Sequence, residues 1–153
     1  MLYGLALLAG VVAGSRVFTA LAAVSWVARL RALNLDGSWV AFMGYSWTPW
    51  IFTLLAIVEM VADQLPSTPS RKVPVQFGSR IVSGTLSGAT IGVAAGTWII
   101  GLIVGVVGAV IGTYGGAEIR SQMAKAFGSD TPAAFIEGAG AIILGLIVIW
   151  ALR

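Results

Sequence analysis

The stretch RIVSGTLSGATIGVAAGTWIIGLIVGVVGAVIGTYGGAEI, from Arg80 to Ile119, is almost wholly apolar between its two ends. As one α-helix it would be about 60 Å long, twice the roughly 30 Å thickness of a bilayer's hydrocarbon core. The stretch must therefore fold back on itself. Gly96-Thr97 or Gly101 offers the turn, which predicts two helices at about 79–96 and 99–120.

Small residues repeat along one face of each of these two helices. In the first helix a glycine recurs at every fourth position, and in the second small residues recur at spacings of three and four. Such faces allow helix backbones to approach closely. We therefore predict glycine-mediated helix packing, within one chain or between copies, through Gly84, Gly88, Gly92, Gly96, Gly105, Gly112 and Gly116.

The composition indicates an integral membrane protein. Of 153 residues, 58% are hydrophobic and 10% are charged, whereas a soluble domain carries roughly 25% charged residues. Cysteine and histidine are both absent, which excludes disulfides, thiol chemistry and histidine-based metal or catalytic sites. We therefore expect no cofactor, no metal and no enzymatic activity. The net charge is +3. The basic residues lie mostly in the predicted connections between helices, so we expect them to set the orientation in the membrane and not to bind nucleic acid.

The hydrophobic runs predict one all-α transmembrane domain over 1–153. The aromatic residues Trp39, Tyr45, Trp47 and Trp50 are typical of headgroup depth, so the segment 38–46 is predicted to be interfacial or re-entrant. The fold class is a polytopic membrane helix bundle of about five transmembrane helices, at approximately 2–28, 48–65, 79–96, 99–120 and 132–151.

An acidic pair marks the second predicted helix. Glu59 and Asp63 are four residues apart and therefore share one helix face. A carboxylate in or beside hydrocarbon is costly and usually faces the bundle interior. Arg16 lies near the middle of the first predicted helix, in a stripe of alanines, and its depth makes it the predicted partner of Glu59.

If the chain has five spans, further charged residues lie in the same half of the membrane as Glu59 and Asp63. With five spans, the connections 66–78 and 121–131 lie on the N-terminal side, and their bases favour a cytoplasmic N-terminus. A buried network of this kind is either a pathway for ions or protons, or a clamp that fixes helix register. Its predicted members are Arg16, Glu59, Asp63, Arg80, Glu118, Arg120 and Glu137.

A weak internal repeat is also visible. The first predicted helix has a Gly14-Ser15-Arg16 turn, and the second begins at Thr48-Pro49. The fourth has Gly116-Ala117-Glu118 near its end, and the fifth is preceded by Thr131-Pro132. With one helix between the two pairs, the halves would have inverted topology, as in many transporters.

Several of these motifs resemble a known family. Glu59-x-x-x-Asp63-x-x-Pro66, Arg80-Ile81-Val82-Ser83-Gly84 and Gly112-x-x-Gly115-Gly116-x-Glu118-x-Arg120 are similar to the small bacterial membrane proteins grouped as domain of unknown function 4126. The resemblance covers nearly the whole chain and implies a multi-helix fold in a bacterial inner membrane. It implies no activity or substrate. Family members often carry Glu-Asp in the fifth helix, where this chain has Glu137-Gly138.

Two functions remain open from the sequence. The first is a small ion or solute transporter or channel, because charged residues and glycine-rich helices occur together within the membrane. The second is a structural or accessory subunit that packs against itself or a larger membrane complex. The expected partners are the lipid bilayer and either a second copy of the chain or another membrane protein.

Overall fold

The computed structural model describes residues 1–64 and 73–152, and this part of the chain is all-helical, as predicted. Most of the predicted 66–78 connection, with Arg71 and Lys72, lies outside the described residues, as does Arg153. Ala41–Gly44 forms a short 3-10 helix within the segment predicted to be interfacial or re-entrant. The described α-helices are α1 (Leu2–Ser15), α2 (Val17–Arg29), α3 (Thr48–Ala62), α4 (Pro74–Ala94), α5 (Trp98–Phe127) and α6 (Asp130–Ala151).

The prediction of one continuous helix over 2–28 is wrong. Arg16 has extended backbone angles, φ −142° and ψ 110°, and separates α1 from α2. The two helices run in opposite directions from this single residue. The reason is that the backbone groups freed at the break find partners on other helices, as described below.

Contacts with α5 and α6 establish the reversal. Gly10 faces Gly105 and Gly108, and Gly14 faces Gly112, so α1 is parallel to α5. α6 follows α5 after a two-residue turn and runs back. Gly138 of α6 lies beside Arg16, and Gly145 lies beside Thr19 and Ala23, so α2 is parallel to α6.

The six helices therefore alternate in direction, and the bundle has two distinct ends. We call the end where α1 begins and α6 ends the terminal end. There the hydroxyl groups of Tyr3 and Thr97 form a hydrogen bond, and the ring centroids of Trp39 and Trp98 lie 5.8 Å apart. The break end carries Arg16, the C-terminal end of α3 and the turn between α5 and α6. The extra reversal places the C-terminal end of α3 and the N-terminal end of α4 opposite the N-terminus, whereas five spans would place both at the same end as the N-terminus.

α5 is the central helix, and glycines bring two neighbours against its backbone. Gly84 and Gly88 of α4 face Gly105, while Gly112 faces Val11 of α1. A Cβ at Gly105 would lie 2.1 Å from the carbonyl oxygen of Gly84, and one at Gly112 would lie 2.1 Å from that of Val11. Of the glycines predicted to mediate packing, those at such contacts within the chain are Gly84, Gly88, Gly92, Gly105 and Gly112.

The other two predicted packing glycines differ. Gly96 has no neighbouring atom within 4 Å of a built Cβ, and its φ of +84° serves the turn between α4 and α5. A left-handed φ of this kind is strained for residues with a side chain. Gly116 is half-buried near the middle of α5.

Two further sequence predictions are corrected. α5 continues to Phe127 and ends before Gly128, so 121–127 is helical and not a loop. The helix is also continuous through Gly116, and it runs parallel to α1. The predicted inverted repeat is therefore wrong, because its halves require an antiparallel pair and a second break.

Among the described helices, α5 and α6 are long and apolar enough to cross a membrane. α1, α2 and α3 are apolar but shorter, with 13 to 15 residues each. α4 has 21 residues, and its serines, threonines and Arg80 make it less apolar. Five helices were predicted to cross the membrane, whereas two of the described helices are long and apolar enough to do so.

The Gly105 contact gives a direct test of this packing. Gly105→Ala places a methyl group against the immobile backbone of α4, so we expect a loss of about 1–3 kcal/mol or more in the free energy of unfolding. Gly115→Ala, in the same helix, meets no atom within 4 Å and is expected to change stability by less than about 1 kcal/mol. Unfolding followed by circular dichroism measures both, and equal effects would contradict the close contact.

Candidate functional site at the interrupted helix

The break at Arg16 exposes backbone groups inside the bundle. The last carbonyl groups of α1 and the first N–H groups of α2 have no partner within their own helices. Buried backbone groups of this kind need partners elsewhere. No side chain next to the break provides a cap for either end. Two charged side chains from other helices supply the partners.

Arg80 of α4 caps the end of α1. Its Nη1 atom donates hydrogen bonds to the carbonyl oxygens of Gly14, at 2.8 Å, and Ser15, at 2.7 Å. The Arg80 side chain is buried, with 3% exposure. A positive charge at a helix C-terminus also interacts favourably with the helix dipole. One turn further along α4, the Ser83 hydroxyl donates to the carbonyl oxygen of Val17 at 2.7 Å.

Glu59 of α3 caps the start of α2. Its Oε1 atom accepts a hydrogen bond from the Val17 N–H at 2.8 Å, and its Oε2 atom accepts one from the Phe18 N–H at 3.0 Å. Both carboxylate oxygens are thus directed at consecutive backbone donors. The negative charge lies at the positive end of the α2 dipole.

The Arg16 side chain forms an ion pair with the second acid of α3. Its Nη1 atom lies 2.5 Å from Oδ2 of Asp63, and its Nη2 atom donates to the carbonyl oxygen of Ala134 at 3.3 Å. Arg16 is 1% exposed and Asp63 is 13% exposed. The guanidinium passes close to Gly138, where a Cβ would lie 3.3 Å from Nη2. Arg16 pairs with Asp63, so the predicted direct pair with Glu59 is wrong.

We call Arg16, Glu59, Asp63 and Arg80 the break cluster. Glu59 and Asp63 share a face of α3, as their spacing indicates. Glu59 accepts hydrogen bonds from the start of α2, whereas Asp63 pairs with the Arg16 side chain. The cluster carries two positive and two negative charges. Because its members lie largely out of water, each charge depends on its partners far more than a surface ion pair does.

A second group of charges lies between α5 and α6. Arg120 donates to Asp130 through Nε at 2.9 Å and Nη2 at 2.5 Å, and its Nη1 lies 3.4 Å from Glu137. Asp130 is 62% exposed, whereas Glu137 is 8% exposed. Asp63 is close enough to act electrostatically on Arg120, so the two groups adjoin.

The predicted network thus divides, and one member lies outside both groups. Glu118 is exposed and accepts a hydrogen bond from Gln122, one turn further along α5, at 2.9 Å. Asp130 is an addition that the sequence reading lacked. Its position immediately after Gly128-Ser129 was the available signal, because a turn there brings it back to Arg120.

Sequence reasoning also missed the buried hydroxyl groups. Ser25, Ser83, Ser87, Thr90 and Thr113 are all almost fully buried. Thr90 and Thr113 donate to carbonyl oxygens four residues earlier in their own helices. These two threonines therefore place polar atoms inside the bundle without needing a distant partner.

The chemistry available to the site is electrostatic. Within residues 1–64 and 73–152, no three or more acidic, histidine or cysteine side chains group together as metal ligands. The break instead offers a helix N-terminus that attracts anions, a helix C-terminus that attracts cations, and two arginines between them.

Comparison of the chain with protein-family models, curated proteins and solved structures gave no match. The description of this site therefore rests on its own geometry.

The Arg16–Asp63 pair predicts a large effect for a nearly isosteric change. Asp63→Asn leaves the Arg16 charge buried without its counter-ion, so we expect the free energy of unfolding to fall by at least about 2 kcal/mol. Asp36→Asn is the matched control, because Asp36 is exposed and should change stability by about 0.5 kcal/mol or less. Denaturant titration of purified protein measures both.

A double variant separates the ion pair from general damage at this position. Arg16→Met combined with Asp63→Leu removes both charges, and it should be less destabilising than the sum of Arg16→Met and Asp63→Leu measured singly. Strict additivity would mean that the two side chains do not depend on each other.

Proposed function

We propose that this chain is an integral membrane protein that moves a small ion or solute across the bilayer, with the break cluster as the site that the solute meets. The interrupted helix carries this proposal, since its two freed ends lie beside buried arginines and carboxylates. The resemblance to domain of unknown function 4126 agrees with a bacterial inner membrane and stays a prediction.

The distribution of polarity supports a membrane location. Large apolar side chains cover the outer faces of α3, α5 and α6, as at Leu54, Ile103 and Ile143, which are 62%, 55% and 57% exposed. Arg16 and Arg80, by contrast, are buried. In soluble proteins large apolar surface patches are rare and charged residues are almost never fully buried unless paired.

The α1–α2 pair has the dimensions of a re-entrant hairpin. The helices have 14 and 13 residues, about 20 Å each, which is less than a hydrocarbon core of about 30 Å. Irregular backbone at membrane depth is tolerated where protein buries it or water reaches it. Arg16 meets the first condition, since the break is enclosed by α3, α4 and α6.

Interrupted helices recur at the sites of transporters. Their half-helix ends hold charged substrate groups and coupling ions near the middle of the membrane. Intramembrane ionisable residues also commonly mark ion or proton pathways. In this chain Glu59 and Arg80 occupy the two helix ends in the manner of a bound anion and a bound cation.

Orientation follows from the hairpin and the distribution of basic residues. The bases near the break end outnumber those near the terminal end, which favours a cytoplasmic break end. We therefore propose termini outside the cytoplasm, in place of the cytoplasmic N-terminus that five spans imply. Among the described residues, the first group is Arg80, Arg120 and Lys125, and the second is Arg29 and Arg31.

A structural or accessory role is the second candidate, and one observation favours it. Arg80 and Glu59 already provide hydrogen bonds to both helix ends. The cluster can therefore brace the hairpin with no ligand present, as buried polar groups sometimes fix one arrangement of helices. In this role the apolar outer faces would contact a second copy of the chain or a larger membrane complex.

Cysteine labelling tests the topology, because the chain contains no native cysteine. Ser46→Cys and Ser129→Cys both introduce a thiol at an exposed position. We expect a membrane-impermeant maleimide to label Ser129→Cys from the cytoplasmic side. Ser46→Cys should react from the other side, together with a tag on the N-terminus. An N-terminal tag on the side opposite Ser46→Cys would contradict the hairpin.

Flux measurements test transport. Wild-type protein in liposomes is assayed for movement of protons, Na⁺, K⁺ and small anions. Glu59→Gln and Arg16→Ala are expected to lower the flux at least tenfold, while Glu118→Gln, at an exposed position of α5, leaves it unchanged. If the folded Glu59→Gln and Arg16→Ala variants show unaltered flux of every solute, the transport proposal is rejected and the structural role of the break cluster remains.

A further inference from the structure

We propose that the outer surface of the bundle, at its terminal end, binds one anionic phospholipid. The phosphate of the lipid lies in a pocket between α2 and α3, and its acyl chains follow the outer face of α3. The proposal rests on the membrane location proposed above, and it is independent of transport.

The site begins with an open cavity of about 520 Å³ where α2 ends and α3 begins. Small-molecule sites typically have volumes of roughly 300–1,000 Å³, so the cavity is large enough for a lipid headgroup. We call it the indole pocket, and its lining residues are Trp26, Arg29, Leu30, Ser46, Trp47 and Trp50.

Contacts between α2 and α3 hold the inner wall of the indole pocket in place. The Nε1 atom of Trp26 donates to the Thr53 hydroxyl at 3.0 Å, and that hydroxyl donates to the carbonyl oxygen of Pro49 at 2.7 Å. The rings of Trp26 and Trp50 pack edge to face, with centroids 4.9 Å apart and planes at 77°. The wall is therefore formed by the protein alone, before any ligand binds.

The polar groups that the indole pocket presents to a ligand are mainly hydrogen-bond donors. Arg29 is exposed, and Trp47 and Trp50 are 76% and 59% exposed. Guanidinium and indole groups donate hydrogen bonds and accept none. Among the described residues that line the pocket none is acidic, and Arg29 has no ion pair within residues 1–64 and 73–152.

This combination selects an anionic headgroup. A phosphate offers acceptor oxygens and a negative charge, and arginine often binds it through two parallel hydrogen bonds. Tryptophan is also typical of headgroup depth, and basic pockets at this depth bind anionic lipids. Phosphatidylglycerol brings a net negative charge to the pocket, whereas phosphatidylcholine brings a cation together with its phosphate.

The surface next to the indole pocket selects a lipid over a free phosphate. From Trp50, exposed apolar side chains continue along one face of α3 at Leu54, Val58 and Val61, which are 62%, 55% and 62% exposed. From Trp50 to Val61 the helix rises about 16 Å, close to half of a hydrocarbon core of about 30 Å. The acyl chains of a lipid with its phosphate in the pocket therefore have an apolar surface as long as one leaflet is deep.

Lipid-dependent stabilisation tests the site. The thermal unfolding midpoint of purified protein in a neutral detergent is measured while short-chain phosphatidylglycerol or short-chain phosphatidylcholine is added. We expect phosphatidylglycerol to raise the midpoint saturably, with an apparent affinity at least fivefold higher than that of phosphatidylcholine. Equal responses to the two lipids would overturn the site, because its charge would then have no effect.

Two arginine variants separate the indole pocket from the net charge of the protein. Arg29→Gln removes the guanidinium that lines the pocket, whereas Arg31→Gln removes an exposed one, two residues later, that is outside the lining. We expect Arg29→Gln to lower the apparent affinity for phosphatidylglycerol at least fivefold and Arg31→Gln to change it less than twofold. Equal losses in the two variants would assign the effect to general charge and overturn the pocket.

Glycerol phosphate distinguishes the two sources of the phosphate, because it carries the headgroup without acyl chains. We expect it to give no saturable rise over the concentrations at which phosphatidylglycerol saturates. An equal rise with glycerol phosphate would assign the pocket to a free phosphate and overturn the lipid.

Fluorescence quenching tests the position of the acyl chains. Leu54→Cys and Ile143→Cys place the same fluorophore on exposed positions of α3 and α6. Phosphatidylglycerol with brominated chains, at the concentration that saturates the midpoint, should quench Leu54→Cys at least twice as strongly, and adding Arg29→Gln should abolish the difference. Equal quenching at the two positions would contradict the placement along α3.

These measurements are made in detergent, so their outcome is separate from the flux assay. Selective binding of phosphatidylglycerol without flux of any solute supports the lipid site and rejects transport. Flux without a preference for phosphatidylglycerol supports transport and overturns the lipid site.

Discussion

The whole arrangement depends on the backbone groups that α1 and α2 leave unpaired at Arg16. Within the bundle these groups need partners, and the partners come from α3 and α4. This requirement fixes the depth of Glu59 and Arg80 relative to the break. It also gives the buried charges a structural reason, because each one completes a helix end or neutralises a neighbour. A functional pathway through the site must operate while these bonds exist or exchange.

Close approach of backbones makes that arrangement possible. α1 and α4 reach α5 through glycines whose missing side chains leave room for carbonyl groups. As a result Arg80 can extend from α4 to the end of α1, where Gly14 itself faces the backbone of α5. The charged cluster therefore depends on the glycine faces. A wider spacing of the helices would move the Arg80 guanidinium away from the carbonyl oxygens of Gly14 and Ser15.

Several features of the fold could be predicted from the sequence. The features that could not be predicted depend on contacts between distant parts of the chain. The apolar run after Arg80 had to fold back because of its length, and Gly96 marked the turn. The spacing of Glu59 and Asp63 placed both on one face. The break at Arg16 had only a weak local signal, because a Gly14-Ser15-Arg16 turn is compatible with a continuous helix and the caps of the break lie more than 40 positions away. That single omission put the C-terminal end of α3 at the wrong end of the bundle relative to the N-terminus, and it gave Arg16 the wrong acid.

The side-chain hydrogen bonds also divide the bundle into two bodies. α1, α4 and α5 are joined by glycine contacts and by Arg80, while α2, α3 and α6 are joined to one another by Glu59, by Trp26 with Thr53, and by Arg16 through Asp63 and Ala134. Among the described helices, the side-chain bonds that cross between these bodies come from Ser83 and Arg120. The chain passes from one body to the other at Arg16, between α3 and α4, and between α5 and α6. A rotation of one body against the other would keep both capped helix ends intact, but it would break the crossing hydrogen bonds and shear the apolar core that α2 shares with α1 and α4.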